Sequence, residues 1–193
     1  SDYPQISLEQ ARAFLPDMLR RFELAGNGTA AVRMSEFLWR WWAGQPGAEE
    51  ARLAWVSSLR DEFEDCRACT VGNQTTYLVE TGRHDEAVAM GMTQHWTCNK
   101  EPACTHHATA LAALLVGDPE LALARHKLAL AATTEDNGNN GPARAKCFEL
   151  LARGGRLPQA LRILRNDDAA LLTSGETPLL RLRAQIRATA PGP

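Results

Sequence analysis

A chain of 193 residues with a formal net charge of −2 is sized for one ordinary domain or one compact helical array. That charge offers no basic field for neutralising phosphates, and no apolar run approaches the roughly 18 residues of a membrane span, so neither nucleic acid nor membrane is an expected partner. Five cysteines, an odd number, do not close a disulfide framework and favour a reducing, cytoplasmic setting.

Apolar residues recur three and four apart along the chain, and alternating β-branched runs are lacking, so the expected fold class is all-α. The first helix opens at Ser7, whose hydroxyl caps it while Gln10 reaches back in a capping box. It runs to about Ala25, before Gly26-Asn27-Gly28, with Pro16 inside it. A second helix carries MSEFLWRWWAG and stops at Gly44-Gln45-Pro46-Gly47; a third runs from Ala48 through LAWVSSLRDEFED. Trp39, Trp41 and Trp42 cannot all point the same way on one helix, so at least one is expected at the surface or in a groove. Trp55 and Trp96 read as core.

Beyond residue 65 the pattern becomes periodic. Gly82, Gly117 and Gly155 each stand five residues before an alanine, Ala87, Ala122 and Ala160, and each alanine precedes an aliphatic residue, Val88, Leu123 and Leu161. A glycine ends the first helix of a hairpin because it takes the left-handed conformation without a side-chain clash, and a small alanine lets the second helix approach closely. The three turns read ETGRHDEA, LVGDPELA and RGGRLPQA, and Pro119 and Pro158 fall in first helical turns, where a missing N–H is harmless. NGNNG, residues 137–141, is a flexible connection. The stretch DDAALLTSGETPLLRLRAQIRATA supplies a last helix from near Glu176, with Pro178 in its first turn and Leu179, Leu180, Leu182 and Ile186 as its apolar positions.

The expected organisation is N-terminal helices over 1–65 packing on three hairpins over 66–165. A C-terminal capping helix with a frayed tail over 166–193 completes one structural domain.

Helix arithmetic then gathers the cysteines. A helix from about Arg67 to Gly82 and an antiparallel partner from about His84 to Trp96 are each about 20 Å long, so their outer ends meet. Cys66 and Cys69 start the first, Cys98 follows the second, and the next helix starts after Pro102 at the same end, bringing Cys104, His106 and His107 within reach. Zinc takes four tetrahedral sulfur or nitrogen donors, and C-x2-C-x28-C-x5-C-x-H-H supplies more than four. Cys66, Cys69 and Cys98 are the expected core ligands of a structural zinc, with Cys104 or a histidine, His106 or His107, as the fourth. Competing readings are small buried hydrophobes and a disulfide from the C-x2-C region to Cys98. A redox-active C-x2-C is disfavoured because no βαβ pattern accompanies it. Cys147 in AKCFELLA reads as core, His126 in ALARHKLAL as a packing histidine, and His84 and His95 as surface or helix-end residues. No nucleophile elbow or phosphate-binding loop is present.

YLVETGRHDEAVAMG, ALAALLVGDPELALARH and FELLARGGRLPQALRIL resemble tetratricopeptide repeats over roughly residues 66 to 165, although that family's tryptophan and closing proline do not recur. DCRAC, the GRHDEA turn, C-x3-P and a following hairpin with a histidine in its second helix are similar to a group of bacterial tetratricopeptide-like proteins. That resemblance implies a right-handed superhelix of stacked hairpins. It also implies a histidine directly after the proline, where this chain has Ala103.

The first functional expectation is a non-catalytic binding module whose concave surface holds a peptide or another protein, with zinc stiffening a hairpin junction. A zinc- or thiol-dependent enzyme is the alternative. A regulatory domain of a longer chain, suggested by Ser1 in place of methionine, is the third reading.

Overall fold

The computed structural model describes residues 7–133 and 141–166 and is all-α over them. The expected helix near Glu176 and residues 137–140 of the NGNNG connection lie outside the described residues. No helix among the described residues is long and apolar enough to cross a membrane. The chain divides into two compact units, Ser1–Asp65 and Cys66–Pro193.

The first unit holds α1 (Leu8–Leu24), α2 (Ala30–Trp42) and α3 (Ala48–Val56). The capping box at Ser7 and Gln10 forms as its residue types dictate: each side chain bonds the other's backbone N–H, at 3.1 and 2.8 Å. The core is aromatic. Phe37, fully buried on α2, stacks against Trp41 and Trp55 at centroid distances of 5.6 and 5.5 Å. Trp42 turns outward and is 61% exposed, the consequence of three tryptophans within four helical positions.

The third helix is shorter than its sequence suggests. Ser57 and Ser58 turn their hydroxyls onto the carbonyls of Leu53 and Trp55, ending α3 at Val56. The acidic stretch beyond it folds back on the unit: Glu64 accepts the indole N–H of buried Trp55 at 2.6 Å, and Asp61 accepts the backbone N–H of Ala31 at 3.0 Å. Thr29, the N-cap of α2, makes no side-chain cap bond, so Asp61 supplies from thirty residues away the acceptor that a local cap usually provides. Gly28 makes room for it, since a Cβ there would lie 2.8 Å from the Asp61 Cβ.

The second unit contains α4 (Arg67–Glu80), α5 (His84–Met92), α6 (Ala103–Leu115), α7 (Pro119–Ala132), α8 (Gly141–Arg153) and α9 (Leu157–Asn166). Consecutive helices pack as three pairs, and α6 also packs on α4, α5 and α8. The glycines in the turns within the pairs take positive φ, 79° at Gly82, 86° at Gly117 and 74° at Gly155. Five residues on, Ala87, Ala122 and Ala160 are buried. Asp118 caps α7 by accepting the N–H of Leu121, with Pro119 at its first position.

Helix α6 is the centre of this unit, buried at Ala103 and at every position from Thr105 to Ala113. Alanine and threonine are frequent in it because four neighbouring helices, α4, α5, α7 and α8, crowd against it. Gly91 of α5 meets Thr109 so closely that a Cβ there would overlap the threonine hydroxyl, and Gly72 of α4 stands in the same relation to the Glu101 carboxylate. Apolar packing continues outward through Leu111 and Leu150 with Val79 and Leu114, and through Phe148 with Ala160.

Helix α5 stops at Met92 instead of reaching Trp96. Thr93 bonds back to the carbonyl of Met90, and Gln94 leaves the helix to bury its amide, donating to Ala68 O and Thr105 Oγ1 at 3.0 Å each. Trp96 is consequently half-buried and not a core residue, flanked by the His95 ring and the Arg67 guanidinium.

Candidate metal sites

The thiols of Cys66, Cys69 and Cys98 all lie within 4.8 Å of one another. Cys66 is the N-cap of α4, in extended conformation, which turns its sulfur toward the unpaired N–H groups of the first turn. Cys69 sits one turn in, and its sulfur is 3.6 Å from that of Cys98. A tetrahedral zinc thiolate site, with Zn–S of about 2.3 Å, separates its sulfurs by roughly 3.8 Å, whereas a disulfide bond is about 2.05 Å. The observed separation fits the first and not the second, and none of the five cysteines is in a disulfide.

The segment carrying Cys98 is held from several sides. Its N–H donates to Glu101 O at 2.9 Å, and its sulfur accepts the N–H of Lys100 at 3.4 Å. The Glu101 carboxylate in turn accepts both the N–H and the hydroxyl of Thr105, at 2.9 and 2.8 Å, capping α6 where Pro102 offers no side-chain acceptor. Gln94 ties the exit of α5 to the first turn of α4 through Ala68 O. Buried polar bonds therefore fix both strands of chain that present the thiols, the role outer-shell hydrogen bonds play around metals.

Electrostatics divide the three sulfurs. Burial pushes the Cys66 thiol up, but the N–H groups of Cys69 and Ala68 and the neighbouring Cys98 and Cys69 thiols outweigh it and hold Cys66 below the usual cysteine value. Cys69 is pushed far up, first by burial and then by hydrogen bonding and charge from Cys98 and Cys66. Three thiolates crowded together repel one another, and a cation among them reverses that sign.

Of the other expected ligands, neither Cys104 nor His106 belongs to a group of three close donors among the described residues. Cys104 lies in the first turn of α6, pushed up to about 12 by burial and by the Glu101 carboxylate. His106 is buried on the same helix with its Nδ1 lacking a hydrogen-bond partner, and burial lowers its pKa.

His107 joins a different group. Its donor atom, one from His126 and the sulfur of Cys147 all lie within 4.8 Å of one another. Sequence reasoning assigns His126 and Cys147 to packing, since each occupies an apolar helical face with no ligand spacing around it. The available signal was three soft donors on the inner faces of three successive helices, α6, α7 and α8. Burial, then the positive charges of His126 and Lys146, depress His107 to about 3, and burial lowers His126.

No family model, curated protein or solved structure matches the chain. The function must therefore be read from these side chains themselves.

Proposed function

We propose that the chain is a non-catalytic helical-repeat module that binds another protein or a peptide, its first hairpin fastened by a structural zinc ion at Cys66, Cys69 and Cys98. The observation that carries this reading is the convergence of three thiols, 29 residues apart at its widest step, on one end of the α4–α5 pair. Soft thiolate donors suit zinc and not magnesium or calcium, and a metal there would join the entry of α4 to the exit of α5.

A tetratricopeptide-like stacking is supported by the three left-handed glycines and the buried alanines that follow them. The binding role is supported by α7, which exposes Leu123, Leu128 and Leu130. Leu123 and Leu130 lie seven residues apart and so share one helical face. Apolar side chains left in water on a packed helix favour a protein or peptide ligand.

Two measurements test the proposal. Purified protein should carry zinc that Cys98→Ser loses; a metal-free protein that takes up no zinc sinks the structural site. Peptides selected on the wild type should bind Leu123→Glu/Leu130→Glu at least about tenfold more weakly, with helicity and metal content unchanged; equal binding removes α7 as the docking face.

One observation favours the enzyme alternative: only three donors gather at the site among the described residues, and an open fourth position is the mark of catalytic zinc. Cobalt(II)-substituted His126→Gln protein, in which the cysteine cluster is the site in question, separates the two. Paramagnetic resonance lines that oxygen-17-enriched water leaves unbroadened support the closed, structural site, and broadening by an exchangeable bound water supports the enzyme.

A further inference from the structure

We propose that His107, His126 and Cys147 form a second metal site, separate from the three-cysteine cluster, that takes a divalent transition ion of the zinc class and clasps α8 to the α6–α7 hairpin. Three helices contribute one donor each, and the three donor atoms fall within 4.8 Å of one another. His107 is 1% exposed and Cys147 4%. Soft sulfur and two imidazoles, with no carboxylate in the group, exclude calcium and magnesium as occupants.

The histidines themselves point to a ligand. The Nδ1 atoms of His107 and His126 are both buried without a hydrogen-bond partner in the protein, and the two rings face each other at 5.6 Å between centroids, inclined by 52°. A buried polar atom without a partner is costly, and native proteins satisfy nearly all of them. Each ring also brings a nitrogen within 4.8 Å of the Cys147 sulfur, and a single ion, which needs lone pairs and not protons, gives the two histidines and the thiol a common ligand.

Ordinary packing does not explain the choice of residues, because an aliphatic side chain would fill α6 or α7 without stranding a polar atom. A cysteine–histidine catalytic pair is equally poorly served, since burial of His107 and Cys147 bars a substrate. His126 is the least buried of the three. Three protein donors leave the fourth tetrahedral position to a water or small anion.

The test counts metal in chelator-stripped, reduced protein refilled with zinc, and separately with cobalt(II), after loosely held metal is removed. Wild-type protein is expected to retain about two ions per chain and His126→Gln about one, because each site holds a single ion. His126 is only half-buried, so this substitution leaves the helices intact, which circular dichroism checks. The variant Cys66→Ser/Cys69→Ser/Cys98→Ser should retain about one ion, with a cobalt spectrum showing both thiolate and imidazole coordination; adding His126→Gln should abolish it. Equal metal content in wild type and His126→Gln overturns the proposal whatever the cysteine variant does. Loss of an ion on His126→Gln but none on Cys98→Ser would leave this site standing and remove the other, so the two claims fail separately.

Discussion

The sulfur of Cys69 lies 3.6 Å from that of Cys98, although 29 positions separate them in the chain. An antiparallel helix pair closes that distance, and Gln94 and Glu101, both buried and hydrogen-bonded, hold the two chain segments in place.

Cys98→Ser is expected to remove about one zinc per chain. It should lower the melting temperature of the metal-loaded protein without changing that of the stripped protein. At a metal concentration a thousandfold above the dissociation constant, the lost stabilisation is about 4 kcal/mol. Mass spectrometry under native conditions and thermal melts with and without chelator read both effects. In stripped protein, brief alkylation should label Cys66 before Cys69 and Cys104, because only Cys66 combines surface exposure with a lowered pKa.

Gly91→Ala should destabilise the second unit by about 1–3 kcal/mol, although alanine is the better helix former by about 1 kcal/mol. The added Cβ would overlap the Thr109 hydroxyl, which is itself bonded to the Thr105 carbonyl at 2.7 Å. Thr109→Ala should recover part of the loss. Urea titrations of the two single variants and the double variant measure that coupling, and additive losses would contradict the contact.

Asp61→Ala is expected to cost about 1–2 kcal/mol in the first unit, the usual penalty for a lost helix cap. Two backbone donors lose their acceptor at once, Ala31 N at 3.0 Å and Phe63 N at 2.9 Å. Faster amide exchange at Ala31 in the variant would identify the cap as the cause.

Metal-free protein should lose stability on mild acidification. His107 is held near pKa 3 when folded, against 6.5 for an ordinary histidine, so between those values the unfolded chain binds a proton that the folded chain refuses. Its contribution is complete above pH 6.5 and declines below it by about 1.4 kcal/mol per pH unit. Urea unfolding across that range should show a shallower slope for His107→Gln than for the wild type.

The helical class, the Ser7–Gln10 cap, the left-handed turn glycines and their alanine partners are legible in the sequence because each depends on residues within a few positions of one another. The convergence of Cys66, Cys69 and Cys98 is almost as legible, since a helical hairpin returns the chain toward its starting end, although α5 stops at Met92 and the segment after it completes the return. Ser57, Ser58 and Thr93 end α3 and α5 through local bonds, but only tertiary structure decided the course of the chain beyond them, because Asp61, Glu64 and Gln94 find their partners across the fold. It also left His107 out of the three-cysteine group and joined it to His126 and Cys147. Which donors meet across three helices depends on how each helix is rotated in its packing, and no local spacing encodes that rotation.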